Sequence, residues 1–300
     1  MEPELRAPTL DDLPELVAFF AGLHERYGIR LRGEPELRDG LMRARESAGE
    51  NYRIALEGER ITAHVGLWAP KESGSRVFFG AHALPRDRRL YGLLVDWAER
   101  RARERSPGGR AQSPAESDDA ELCAELESRG FERARWFFEM EIDLDEDPPP
   151  PAWPEGLAVR TFEPADARAV YDADLEAFED HWEPLHVSFD EWREYFLSGS
   201  EFDPGLWFLA EEDGELAGMA MCKGGAGEGH VDVLAVRRPW RRRGLGSALL
   251  LHSFRELRRN GCARAALSVD GENLTGAVRL YEQAGMKVAR REAIYLKDLT

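Results

Sequence analysis

The sequence predicts an α/β chain of two tandem domains, and three observations predict it. Its 300 residues give room for two folding units of about 150 residues, each large enough to bury a core. Near the middle, residues 145–154 read DEDPPPPAWP. Consecutive prolines cannot join a helix interior or a central strand, so this stretch is a stiff linker at 147–154 between domains at 1–146 and 155–300. On either side of it the text repeats. LRAPTLDDLPELVAFF from Leu5 matches VRTFEPADARAVYDADLEAF from Val159: an extended opening, acidic helix-starting residues, then a helical apolar pattern.

The elements follow in order. RIALEGERITAHVGLW from Arg53 and WFLAEEDGELAGMAMC from Trp207 each read as two strands joined by a tight turn, at Glu57-Gly58 and at Asp213-Gly214. Both halves close on a helix, a glycine stop (Gly130, Gly285) and strand-like text. In the second half the pattern predicts a strand at 158–161, helices at 164–178 and 188–197, the hairpin at 207–222 and a fourth strand at 230–236. A helix follows, with Leu245, Leu249, Phe254 and Leu257 on one stripe and Gly261 at its end. In the first half, residues 101–119 are rich in Ser, Pro, Gly and charge and are expected to form a mobile surface loop.

Composition narrows the class of function. The formal net charge of −17 repels phosphate backbones and anionic lipid headgroups, which disfavours nucleic-acid and membrane partners and suits a cationic small molecule. No apolar run reaches the roughly 20 residues a bilayer helix needs. The N-terminus is acidic where a signal peptide is basic and then apolar, so a cytoplasmic monomer or homodimer is expected. Cys123, Cys222 and Cys262 are odd in number and widely spaced, the pattern of buried thiols rather than of a metal site.

The chemistry-bearing stretch follows the fourth strand. RRPWRRRGLGSALLL takes the chain from a strand through an Arg/Gly loop into a helix. Such a junction gathers unpaired backbone N–H groups and the positive end of a helix dipole at one point, where a pyrophosphate can be held. Gly244 and Gly246 let the backbone approach it closely.

The run VRRPWRRRGLG, from Val236 to Gly246, resembles the acyl-CoA signature of the GCN5-related N-acetyltransferase (GNAT) superfamily, R-x-x-G-x-G after a strand ending in valine, with Arg241, Gly244 and Gly246 in register. The likeness continues through LSVDGENLTGAVRLYEQAGM from Leu267, matching the second cofactor segment at Asn273, Ala277, Tyr281 and Gly285. It covers residues 157–299, and the duplicated layout more loosely resembles two-domain members such as mycothiol synthase. The resemblance implies two tandem GNAT-like domains, each a mixed, mostly antiparallel, splayed sheet flanked by helices, with acetyl-CoA wedged between the fourth and fifth strands of the second. Main-chain groups from Leu234 to Val236 are then expected to pair with the pantetheine arm. The N–H groups of Arg241, Arg242, Arg243, Gly244, Leu245 and Gly246 are expected to hold the pyrophosphate, and Asn273 to brace the cofactor.

An acceptor amine attacking a thioester needs a proton removed from its ammonium form and a proton returned to the departing thiolate. Tyr281 stands where the family commonly places a tyrosine acid. For the base the family often uses a glutamate on the fourth strand; His230 takes that register here, with Asp232 to orient it or to bind a cationic acceptor. In AFEDHWEPLH, residues 177–186, the side chains Asp180, His181, Trp182 and Glu183 are candidates for acceptor binding. Arg237, Arg238, Arg242 and Arg243 either contact cofactor phosphates or form a basic loop that is solvated or paired to neighbouring carboxylates. The first half has HALPRDRRLYGLL in place of the glycine loop and is expected to be a non-catalytic copy. The competing expectation is a protein that binds acyl-CoA as a sensor or assembly module without turnover. A Rossmann nucleotide site is disfavoured, because no G-x-G-x-x-G is present.

Overall fold

A computed structural model describes the chain except residues 1, 2, 4, 31, 44–47, 71–75, 180, 183, 185, 186, 226 and 273–275. In chain order the elements are β1 (Leu5–Arg6), α1 (Leu13–Tyr27), α2 (Glu34–Arg43), α3 (Ala48–Asn51), β2 (Tyr52–Glu57), β3 (Arg60–Trp68), β4 (Arg76–Ala83), α4 (Arg88–Arg105), β5 (Arg110–Glu116), α5 (Ala120–Ser128) and β6 (Glu132–Asp143). The order then recurs as β7 (Leu157–Thr161), α6 (Ala167–Phe178), α7 (Phe189–Leu197), β8 (Trp207–Glu212), β9 (Glu215–Gly225), β10 (Glu228–Val236), α8 (Leu245–Arg259), β11 (Arg264–Asp270), α9 (Ala277–Gln283) and β12 (Lys287–Asp298).

Contacts divide the chain into two compact units, Met1–Trp136 with Glu292–Thr300, and Phe137–Arg291. The first unit carries the strand order β1-β2-β3-β4-β5-β12 and the second β7-β8-β9-β10-β11-β6. Each sheet is antiparallel except for one parallel junction, β4 with β5 and β10 with β11. Each unit therefore takes a strand from the other half of the sequence. Residues 292–298 of β12 pair with β5, and residues 137–143 of β6 pair with β11. The proline-rich segment lies within the second unit, where Arg258 donates to the Leu144 carbonyl and pairs with Asp147, and Arg255 donates to the Pro148 carbonyl.

The second unit is a sheet with a core on each face. On one face Leu245, Leu249, Phe254 and Leu257 of α8 pack on Phe208, Val231, Ala265 and Leu267. On the other, Val170 and Tyr171 of α6 and Trp192 of α7 pack on Trp207, Leu209 and Met219. Alternate residues of β8 thus feed opposite cores, as strand geometry requires. Each fully buried Leu or Phe contributes about 1.5–3 kcal/mol, so the α8 stripe clamps its face of the sheet. The helix stops where expected, with Gly261 at φ +86°. α7 starts one residue inside its expected bound because Ser188 is the cap, accepting from the Glu191 N–H at 3.3 Å.

Two sequence expectations need correction. In the first hairpin Glu57 pairs with Arg60, so the loop residues are Gly58 and Glu59, one place later than expected. A two-residue loop needs positive φ directly after its closing pair, and Gly58 supplies it at +63°. The second hairpin does turn at Asp213-Gly214. Residues 101–119 are not a mobile loop: α4 runs to Arg105, and residues 110–116 form β5, with Ala111, Ser113 and Ala115 buried. Pro114 is tolerated there because pairing with β4 ends at Gln112, so the proline sits beside one partner strand rather than between two.

Candidate active site

β10 and β11 pair only over Glu228, Gly229 and His230 against Arg264, Ala265 and Ala266. From Val231 onward β10 keeps β9 as its partner, while β11 keeps β6 to Asp270. The strands part, and their facing edges present peptide N–H and C=O groups with no ladder partner, a slot able to pair with an extended polar chain. Leu234 and Val236 line this edge, opposite Ala220 and Gly218 on β9. A bulge at Asp232 shifts the register, leaving Val231 in the α8-side core and Val233 in the α6-side core.

The slot ends at the start of α8. Its N-cap is Gly244, at φ +89°, with no side-chain capping bond. The N–H groups of Leu245, Gly246 and Ser247 in the first turn have no intrahelical acceptor, so the helix offers donors and positive potential to an anion. Gly246 marks a convergence of elements. A Cβ there would meet Leu280 Cδ1 at 3.3 Å and Val236 Cγ2 at 3.6 Å, so the end of β10, the first turn of α8 and α9 all meet at this point. Arg242 adopts φ +63°, a left-handed conformation uncommon for a side-chain-bearing residue and concentrated at binding loops. The equivalent helix of the first unit differs. The N-cap of α4 is Asp87, whose carboxylate accepts from the Arg89 and Leu90 N–H groups at 2.9 and 3.0 Å. That helix start carries its own anion.

The loop arginines divide by partner. Arg241 donates from Nε to the Val236 carbonyl at 3.0 Å, tying the loop to the end of β10. Arg237 is bound to Glu176 of α6 at 2.7 Å, and the Arg238 N–H donates to the same carboxylate at 3.1 Å. Arg243 pairs with Glu212 at 2.5 Å. Arg237, Arg238 and Arg243 each pair with a carboxylate.

His230 and Asp232 come together, Nδ1 to Oδ1 at 2.7 Å. Two further groups join them from strands the motif does not touch: Glu139 of β6, 3.6 Å from His230 Nε2, and Lys223 of β9, 2.8 Å from Asp232. Lys223 also lies 3.9 Å from Glu201. Burial by itself lowers the imidazole pKa, but the bonds to Asp232 and Glu139 outweigh it, and the His230 pKa is pushed up to about 9. Burial raises that of Asp232, while His230 and Lys223 more than reverse it and hold the carboxylate below its ordinary value. At neutral pH the pair is imidazolium and carboxylate, so His230 accepts a proton only after losing its own.

Tyr281 lies on α9, nearly buried in the α8-side core, and its hydroxyl has no hydrogen-bond partner among the described residues. Desolvation pushes the phenol up to about 12, which keeps it protonated at working pH. His181 packs against Phe178, ring centroids 4.3 Å apart, and its backbone N–H donates to the Phe178 carbonyl at 3.0 Å. Trp182 is partly buried. Asp180, Glu183 and Asn273 lie outside the described residues. Sequence reasoning missed Glu139, Lys223 and Glu201. The alternation in FFEMEI, with Phe138 and Met140 inward and Glu139 and Glu141 on the other face, marked an acidic strand face but not the sheet it would join.

Comparison with known proteins agrees with this geometry. Residues 167–286 match the family model described as Acetyltransferase (GNAT) family. A mycothiol acetyltransferase of Thermobispora bispora is 38% identical over 288 residues, covering 92% of this chain and 93% of that protein. The crystal structure of a GCN5-related N-acetyltransferase from Sphaerobacter thermophilus superposes with a TM-score of 0.80 at 30% identity, over 99% of this chain and 96% of that one. A tandem GNAT protein from the clavulanic acid biosynthesis pathway shares the fold at a TM-score of 0.77 and 17% identity, over 100% and 99% of the two chains.

Proposed function

The chain belongs to the GNAT family of acetyltransferases and is an N-acetyltransferase, and from that premise we propose that it moves an acetyl group from acetyl-CoA to the primary amine of a small-molecule acceptor by direct attack on the thioester. The observation that carries the reading is the parting of β10 from β11 directly beside the α8 start, which has no capping side chain. The open β10 edge from Val231 to Val236 suits the amide-bearing arm of the donor, and the N–H groups of Leu245 and Gly246 suit its pyrophosphate. With Asp87 in the corresponding place on α4, the proposal assigns one donor site per chain.

In the reaction His230, oriented by Asp232, takes a proton from the acceptor's ammonium. The freed nitrogen bonds to the acetyl carbon as the carbon–sulfur bond breaks, Tyr281 gives its proton to the thiolate, and the second proton the nitrogen loses on becoming an amide replaces, by way of solvent, the one Tyr281 gave. The first acceptor to test is the un-acetylated amine form of mycothiol, because a mycothiol acetyltransferase matches nearly the whole chain. The purified chain with acetyl-CoA and that amine should yield the amide and free CoA in equal amounts by mass spectrometry, and glucosamine should be a poorer acceptor. Saturable acetyl-CoA binding with no product from any amine would contradict the reading and favour an acyl-CoA sensor.

A further inference from the structure

The base candidate shares its free ring edge with a carboxylate from a distant part of the sequence. Glu139, opposite Ser268 in the β6–β11 ladder, faces His230 Nε2 at 3.6 Å, while Asp232 holds Nδ1 at 2.7 Å. We propose that Glu139 recognises the ammonium group of the acceptor and, by exchanging His230 for that ammonium as its partner, releases His230 to act as the base. This rests on the acyl-transfer reading above and adds a specificity-determining residue to it.

Charge arrangement supplies the reason. The groups facing His230 are Asp232 on its own strand and Glu139 on β6. Behind them stand Lys223 on β9, 2.8 Å from Asp232, with Glu201 after α7, and Arg290 on β12, 3.8 Å from Glu139 and 3.4 Å from Glu141. On the far side of Glu141 is Arg264 of β11, which also faces Glu228 and Asp143. From Arg264 through Glu141, Arg290, Glu139, His230, Asp232 and Lys223 to Glu201 the sign alternates only while His230 is charged. Neutral His230 would leave two carboxylates facing one another across an uncharged ring. The cluster therefore holds a cation at this point, from the imidazole or from a ligand.

An amine acceptor arrives as its ammonium form. Seated on Glu139 it supplies the missing positive charge and repels the imidazolium, so the Nε2 proton leaves to solvent. The neutral nitrogen then takes one proton from the ammonium, the amine forms its carbon–nitrogen bond, and the second proton lost by that nitrogen balances the one that ends on sulfur. The ring and both carboxylates keep about a fifth of their side-chain surface exposed, 21% for His230 and 19% each for Glu139 and Asp232, so a ligand can reach them.

The test is an NMR titration of the His230 ring in the full-length protein, with the resonance assigned by its loss in His230→Gln. The free protein should titrate near pH 9, and Glu139→Gln should lower the midpoint by a unit or more, with Glu139→Asp restoring most of it. Saturating glucosamine should lower the wild-type midpoint where N-acetylglucosamine, which lacks the charge, does not, and should have little effect in Glu139→Gln. In steady state Glu139→Gln should raise the acceptor KM at least tenfold and leave the acetyl-CoA KM within twofold. Equal midpoints in wild type and Glu139→Gln, or an equal glucosamine response in both, would overturn the proposal. The titration reads Glu139 without turnover, so a chain that acetylates no amine fails the functional reading separately.

Discussion

At the scale of single residues, Tyr281 shows how environment sets a role. A phenol desolvated to about 12 is not lost as phenolate near neutrality, so it remains available as a donor at the sulfur as the carbon–sulfur bond breaks. Tyr281→Phe is expected to lower kcat at least tenfold with the acceptor KM within a factor of two, measured by initial rates at saturating acetyl-CoA. An unchanged kcat would reduce Tyr281 to packing. The sequence named Tyr281, His230 and Asp232 because each sits in or beside a local motif. It did not name Glu139 or Lys223, because their roles arise from register across strands far apart in the chain, and register depends on tertiary pairing.

Among elements, the slot depends on how α6, β10 and α8 are tied. Glu176 near the end of α6 binds both the Arg237 side chain and the Arg238 backbone N–H, which fastens the helix leading to the acceptor-loop candidates to the loop that precedes the anion site. Glu176→Ala removes both bonds and leaves Arg237 with the Leu216 carbonyl and the outer carboxylate Glu215. The expected result is a three- to tenfold rise in the acetyl-CoA KM with a small loss of thermal stability, read by steady-state kinetics and a melt; a KM unchanged within error would show that the tie does not shape the donor site. The strand, loop and helix from 230 to 261 were legible because their signals are local: alternation, two glycines and a helical stripe. β5 was not, because its Ser and Pro, directly after Gly108-Gly109, read as loop, and its strand state comes from pairing with β12 at the far end of the chain.

Across the whole molecule, His64 and His82 in the first unit and His230 in the second respond oppositely to pH. In the first, His64 and His82 pack face to face with ring centroids 6.3 Å apart, and Phe20 lies edge-on to both. Burial, then the charge of Arg32, pushes His82 down to about 3, and burial with His82 and Arg32 lowers His64 well below its usual value. Folded pKa values below the unfolded one mean that these rings stabilise the unit fully above about pH 6.5 and progressively less as pH falls, about 1.4 kcal/mol for each unit of displacement. His230 has the reverse sign: its contribution is complete below about pH 6.5 and is lost as pH rises through about 9. Hydrogen exchange followed by mass spectrometry should show β3 and β4 losing protection on acidification before α8 does, and His82→Phe should reduce that difference. Protection lost in both units together would contradict it. The duplicated order of elements was legible as a repeat, whereas the crossing of β6 and β12 into the opposite units was not, since nothing in a strand's own residues says which sheet it completes.

One acetyl-CoA site built by β10 and the start of α8 is tested by calorimetric titration of the full chain with acetyl-CoA, set beside Gly246→Glu. Glutamate at 246 places a carboxylate in the first turn of α8 and asks Leu280 to yield by a few tenths of an ångström. The wild type should show one site per chain and the variant at least a tenfold weaker Kd, a loss of about 1.4 kcal/mol or more, with an unchanged melting profile. Two sites per chain, or equal affinity in the two proteins, would contradict it.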